Sequence, residues 1–160
     1  MGILNHEFRL FLICARKTNL KYLVVGGYAV NFHGYARNTR DMDVWLQPSK
    51  ENQIAFIQTL LCMNYTEQEV TPLYKEDFEK SFKATIGPYD ASLDLLTFFH
   101  STINFDEAYL QKEIYEIEEG VFVDFVSYEI LKDMKLRSRR DIDLWDVARL
   151  DEIKKQKSKK

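Results

Sequence analysis

The apolar run Tyr22–Val25 stops abruptly at Gly26-Gly27, and a second apolar stretch, residues 28–32, follows at once. Four apolar residues bounded by a turn signal read as a short buried strand. The stretch beyond the glycine pair reads as a helix that Gly34 stops. A polar connection, YARNTR, then leads to residues 41–46, where Met42, Val44 and Leu46 alternate with Asp41, Asp43 and Trp45. That period of two is a strand signature. Strand, glycine turn, helix and strand within 25 residues confine the chain to folds in which helices pack on a sheet.

The remainder supplies the other elements. Leu4, Phe8, Phe11, Leu12 and Ala15 recur at helical spacing and predict an opening helix over residues 4–18, ended by Asn19. Ser49 caps a predicted helix with Ile54, Ile57, Leu60 and Leu61 on its buried face. Residues 65–80 read as loop with one short helix. Residues 83–86 and 91–98 bracket Gly87-Pro88 as an antiparallel pair, residues 105–110 form a short helix, and residues 113–117 and 121–126 form a hairpin. Two helices close the chain, one capped by Ser127 and one beginning near Asp141. The order predicts an α+β fold with a mixed sheet flanked by helices. Residues 1–153 are expected to form one domain, with residues 154–160 a disordered basic tail.

Charge narrows the function classes. Five of the 22 basic residues fall in the last ten positions, so the first 150 residues carry 17 basic and 23 acidic side chains, a net of −6. An acidic body argues against a broad nucleic-acid groove. The apolar runs are too short to span a bilayer, and the N-terminal residues lack a signal-peptide layout, which together predict a cytoplasmic protein without membrane attachment. Cys14 and Cys62 sit in apolar stretches and are expected to be packing residues in a reducing compartment.

Three features carry chemistry. A strand ending in Gly26-Gly27 lets a phosphate approach bare backbone amides at the start of a helix. Asp41 and Asp43, two apart on a strand, share one face with Cα atoms ~6.5–7 Å apart. Their mutual repulsion favours a hard divalent cation, Mg²⁺ or Mn²⁺, between them. Asp94 lies inside the apolar LDLLTF, where a buried carboxylate needs a cation, a donor network or solvent. Arg37 and Arg40 flank the approach to the aspartate pair, either to bind phosphate or to neutralise the aspartates directly. Lys135 is either solvent-exposed or turned toward a nucleotide. Asp143 and Asp146, three apart on a helix, are expected to anchor Arg139, Arg140 or a lysine. His33 is expected to be a packed, hydrogen-bonded histidine, and Tyr28 or Trp45 to be core residues or to flank a base.

A strand, Gly-Gly, a helix, Asp-x-Asp on the next strand and a later lone strand aspartate resembles the polymerase-beta-type nucleotidyltransferase superfamily. The string VVGGYAVNFHGYARNTRDMDVWL is similar to its small bacterial branch, related to the abortive-infection and toxin–antitoxin nucleotidyltransferases, and LKDMKLRSRRDIDLWDVARL is similar to that branch's ending. The resemblance spans residues 20 to 150. It implies that Gly26 and Gly27 cradle the triphosphate; Arg37, Arg40 and Lys135 stand beside them as candidate nucleotide contacts. It implies that Asp41, Asp43 and Asp94 hold one or two Mg²⁺ or Mn²⁺ ions, with Asp94 the base toward an acceptor hydroxyl. Gly27 stands where many members carry serine, leaving only backbone amides to meet phosphate. The implied activity is transfer of a nucleoside monophosphate from a nucleoside triphosphate to a hydroxyl on a protein, an RNA or a small molecule. The alternative is a catalytically silent antitoxin or regulatory partner in a two-gene system.

Overall fold

A computed structural model describes residues 4–35, 39–138 and 140–158. The elements run α1 (His6–Lys17), β1 (Tyr22–Val25), α2 (Gly26–Phe32), β2 (Met42–Leu46), α3 (Lys50–Cys62), α4 (Glu67–Val70), a 3-10 turn (Thr71–Lys75), β3 (Lys83–Ile86), β4 (Leu93–Leu96), α5 (Phe105–Leu110), β5 (Glu113–Glu118), β6 (Val121–Phe125), α6 (Tyr128–Ser138) and α7 (Asp141–Ser158). The strands make one six-stranded sheet in the order β3-β4-β2-β1-β6-β5. β2 pairs antiparallel with β1 and parallel with β4, β1 pairs parallel with β6, and the β3–β4 and β5–β6 hairpins form the two edges. The sheet is therefore mixed, as the alternation of elements in the sequence predicts.

Local chemistry explains most of the boundaries. Asn5 accepts a hydrogen bond from the Phe8 amide at 3.1 Å and caps α1, and Ser49 accepts one from Asn52 at 3.1 Å and caps α3. Asn19 takes a left-handed φ of 57° immediately after α1, the stop its side chain tolerates better than most. In the polar stretch after residue 65, Thr66 and Glu69 cap each other's backbone reciprocally, which nucleates α4 ahead of the 3-10 turn.

The core is continuous from α1 across the sheet. All four residues of β1 are buried, and in β2 only Asp43 is not. Both sets of alternate residues at the sheet centre are therefore covered, which is the pattern of central strands. Trp45 is buried in an aromatic cluster, edge-on to Phe99 and Phe105, and its indole N–H donates to the Thr97 carbonyl at 3.3 Å. That packing excludes it from flanking a nucleobase. Tyr28 is half-buried and sets its ring edge-on to Phe8.

Two expectations are corrected by the structure. Cys14 and Cys62 are disulfide-bonded with Cα atoms 5.7 Å apart, joining α1 to α3. The apolar surroundings that suggested simple packing also bring the two helices into contact there. The lysine-rich end is not a disordered tail through its described part, because α7 continues to Ser158. Lys154 finds an acidic and an aromatic partner on α6: its ammonium lies 2.5 Å from Glu129 and 4.1 Å from the Tyr128 ring centroid. No described helix is long and apolar enough to cross a membrane.

Candidate functional site

Sheet register brings the strand aspartates together. In the parallel β2–β4 pairing, Asp43 stands directly opposite Asp94, and in the β1–β2 pairing it stands opposite Val25, the residue before the glycine turn. Register partners project on the same side of a sheet, so Asp43 and Asp94 are adjacent carboxylates. Asp41 immediately precedes β2. Its Oδ1 accepts from both the amide and the hydroxyl of Ser92, each at 3.1 Å, which ties it to the residue before β4. Asp94 accepts from the Thr85 hydroxyl at 2.9 Å. It is half-buried rather than enclosed, so the donor comes from the β3–β4 hairpin and part of its surface from solvent.

Gly26 makes room for this arrangement. Its φ is +65°, and a Cβ built on it would run into the Asp43 carboxylate. A side chain here is excluded twice, by backbone conformation and by the acid it would meet. α2 therefore begins with bare backbone against Asp43.

A cavity of about 100 Å³ opens beside Asp43, lined also by Gly26, Leu131, Met134, Lys135 and Arg140. Its size suits one phosphate-sized group rather than a whole nucleotide. Burial, with Asp94 and Asp41 adding like charge, pushes the Asp43 carboxyl up to about 6, although Lys135 and Arg140 pull in the opposite direction. Lys135 is buried, not solvent-exposed, and contacts Asp143 at 3.1 Å and Asp146 at 3.0 Å, both also buried. Arg140 closes on Asp143 at 2.6 Å, and Ser138 donates to the same carboxylate. Burial works against ionisation of Asp143, but the bonds from Arg140, Ser138 and Lys135 win and hold it down to about 2. Thus Asp143 and Asp146 anchor a lysine and Arg140, as their spacing on α7 predicts, and the anchored cations reach the aspartate pocket.

The remaining predicted residues fall in different places. Arg37 lies outside the described residues, and Arg40 is exposed just before β2. Gly27 is buried at the start of α2. His33 is packed: its Nε2 lies 2.9 Å from the Val126 carbonyl. Sequence reasoning misses Ser92 and Thr85, the groups that hold Asp41 and Asp94. Thr85 was recoverable from the hairpin register, which pairs it with Asp94; Ser92 carries no signal in the linear sequence.

As a metal centre the site is partly assembled. Asp43 and Asp94 are paired acids, and burial together with the Asp94 charge raises the Asp43 carboxyl. Among the described residues no three His, Cys, Asp or Glu side chains stand grouped to hold an ion, and Asp41 is engaged by Ser92. The donor set suits a hard cation held by two carboxylate oxygens, its remaining positions filled by water or phosphate. No protein-family model matches this chain, and no functionally curated protein matches it significantly.

Proposed function

We propose that this chain is a Mg²⁺- or Mn²⁺-dependent nucleotidyltransferase of the polymerase-beta type, moving a nucleoside monophosphate from a nucleoside triphosphate to an acceptor hydroxyl. The observation that carries the reading is the register that sets Asp43 against Asp94 beside Gly26, with Lys135 and Arg140 across the same cavity. The order of strand, glycine turn, helix, Asp-x-Asp strand and later strand aspartate, on which the resemblance rests, supports the same reading.

Asp43 and Asp94 would hold the cation, with Asp41 joining them only by leaving Ser92, and the cation when bound would supply charge neutralisation on the phosphates. Asp94, half-buried and hydrogen-bonded by the Thr85 hydroxyl, would take the proton of an acceptor hydroxyl. The acceptor oxygen forms a bond to the α-phosphorus, the bond to the bridging oxygen breaks, and pyrophosphate carries the electron pair away. Lys135 and Arg140 offer donors to that leaving group. The clamp of Asp143 and Asp146 limits how far Lys135 moves, which favours positioning over flexible capture.

The second reading is a silent binding partner. Its support is the small cavity and the engagement of Asp41 by Ser92. Label transfer from an alpha-labelled triphosphate to components of the source cell's lysate separates the two. Asp94→Asn should lower transfer by ~10²–10⁴-fold while calorimetry still registers nucleotide binding. Wild-type protein that binds nucleotide yet labels no acceptor belongs to the partner class.

A further inference from the structure

A second cleft, of about 540 Å³, lies at the opposite end of β1 from Gly26 and shares no lining residue with the aspartate cavity. Arg16 from the last turn of α1, Lys21 from the connection into β1 and Lys112 from the start of the β5–β6 hairpin converge on it. Asp124 is the one carboxylate among the described residues that line it. The cleft therefore carries a net charge of +2 in a chain whose total is −3.

The three cations are held differently. Lys112 satisfies Asp124 at 2.9 Å and also lies 3.8 Å from the Tyr109 ring centroid, so the one carboxylate is already matched. Arg16 lies over the face of Phe122, its guanidinium carbon 4.2 Å from the ring centroid. Such a contact consumes none of the guanidinium's N–H donors. Lys21 stands 5.9 Å from the Tyr109 ring centroid. Among the described residues neither Arg16 nor Lys21 pairs with a carboxylate. At the floor, the buried Tyr22 hydroxyl accepts from the Asp124 amide at 3.3 Å, which leaves its own proton as a donor. Burial and the Asp124 charge hold that proton in place by raising the phenol far above its usual range.

We propose that this cleft binds a small phosphate-bearing anion, with Arg16 and Lys21 meeting its charge and Tyr22 donating from below. Charge-assisted hydrogen bonds from a planar guanidinium suit phosphate oxygens, and two cations beyond the matched Lys112–Asp124 pair suit a doubly charged group. The site stands independently of any chemistry at Asp43.

The test is calorimetry on the full chain at low ionic strength, without divalent metal, using inorganic pyrophosphate, adenosine monophosphate and citrate as probes. Amide chemical shifts map where each binds. The expected result is pyrophosphate or monophosphate binding with shifts at Tyr22, Phe122 and Asp124, weakened at least about tenfold in Arg16→Gln/Lys21→Gln. Both replaced side chains are exposed, so the variant keeps its fold, which its melting curve checks. Tighter binding of pyrophosphate identifies a free phosphate anion as the ligand class, and tighter binding of the monophosphate identifies a nucleotide. Asp43→Asn should leave this binding unchanged. Absence of binding at millimolar probe, full retention in the double variant, equal binding of citrate, or shifts confined to Gly26 and Asp43 would each overturn the assignment.

Discussion

Replacing Asp43 by asparagine should make the protein more stable, and by an amount that depends on pH. The carboxyl moves from an ordinary aspartate value of 3.8 to about 6 on folding. The folded state thus favours the protonated form. Stability from this group is fully present below about pH 4 and is lost as pH rises through about 6. From that difference the wild type carries a penalty of about 3 kcal/mol at pH 7.5 and about 1 kcal/mol at pH 4.5. Asn keeps the shape without the charge. Asp43→Asn should therefore melt about 6–12 °C above wild type at pH 7.5, with the gap shrinking to about a third at pH 4.5. Paired melting curves at the two pH values cancel every other titrating group. Millimolar Mg²⁺ should narrow the gap at pH 7.5 by stabilising only the wild type. A variant no more stable than wild type at pH 7.5, or a gap unchanged at pH 4.5, would refute the account of a crowded, half-buried acid pair.

Three further outcomes follow from the geometry. Gly26→Ala should cost ~1–3 kcal/mol from the left-handed backbone alone, and more where its Cβ meets Asp43; urea unfolding measures it. Lys135→Met should cost ~3–5 kcal/mol by removing the buried cation that Asp143 and Asp146 share, whereas adding Asp146→Asn in the same chain should recover part of that loss in the same urea assay. Reducing Cys14–Cys62, which closes a separation of 48 residues, should cost about 4 kcal/mol; melting with and without a phosphine reductant, beside a thiol titration, decides it.

Much of the architecture was legible because its signals are local. The glycine turn, the Ser49 cap, the Asn19 stop and the alternation after Asp41 each act through residues within a turn or two of one another. The juxtaposition of Asp43 and Asp94 needed one long-range fact, that β4 pairs with β2, and period-two patterning constrains faces rather than neighbours. That Lys135 is buried rather than solvent-exposed was illegible for a similar reason. Its burial depends on α7 folding back on α6 so that Asp143 and Asp146 cover it, which no spacing within α6 announces. The disulfide was illegible because cysteine pairing depends on helix packing, and an apolar context fits a packed thiol equally well. Ser92 was invisible because its role lies in an amide as much as in its hydroxyl.

The outer strand β5 bears on how this molecule behaves in a crowded solution. Its free edge exposes Ile114 and Tyr115, the kind of surface that recruits another strand and seeds aggregation. The same strand carries Glu113, Glu116 and Glu118. If two copies met antiparallel and centred on this segment, Glu113 of each would face Glu118 of the other, and like charges directly opposite resist pairing. The sequence EIYEIE thus keeps strand-forming residues at the margin of the sheet while denying that margin to a second chain.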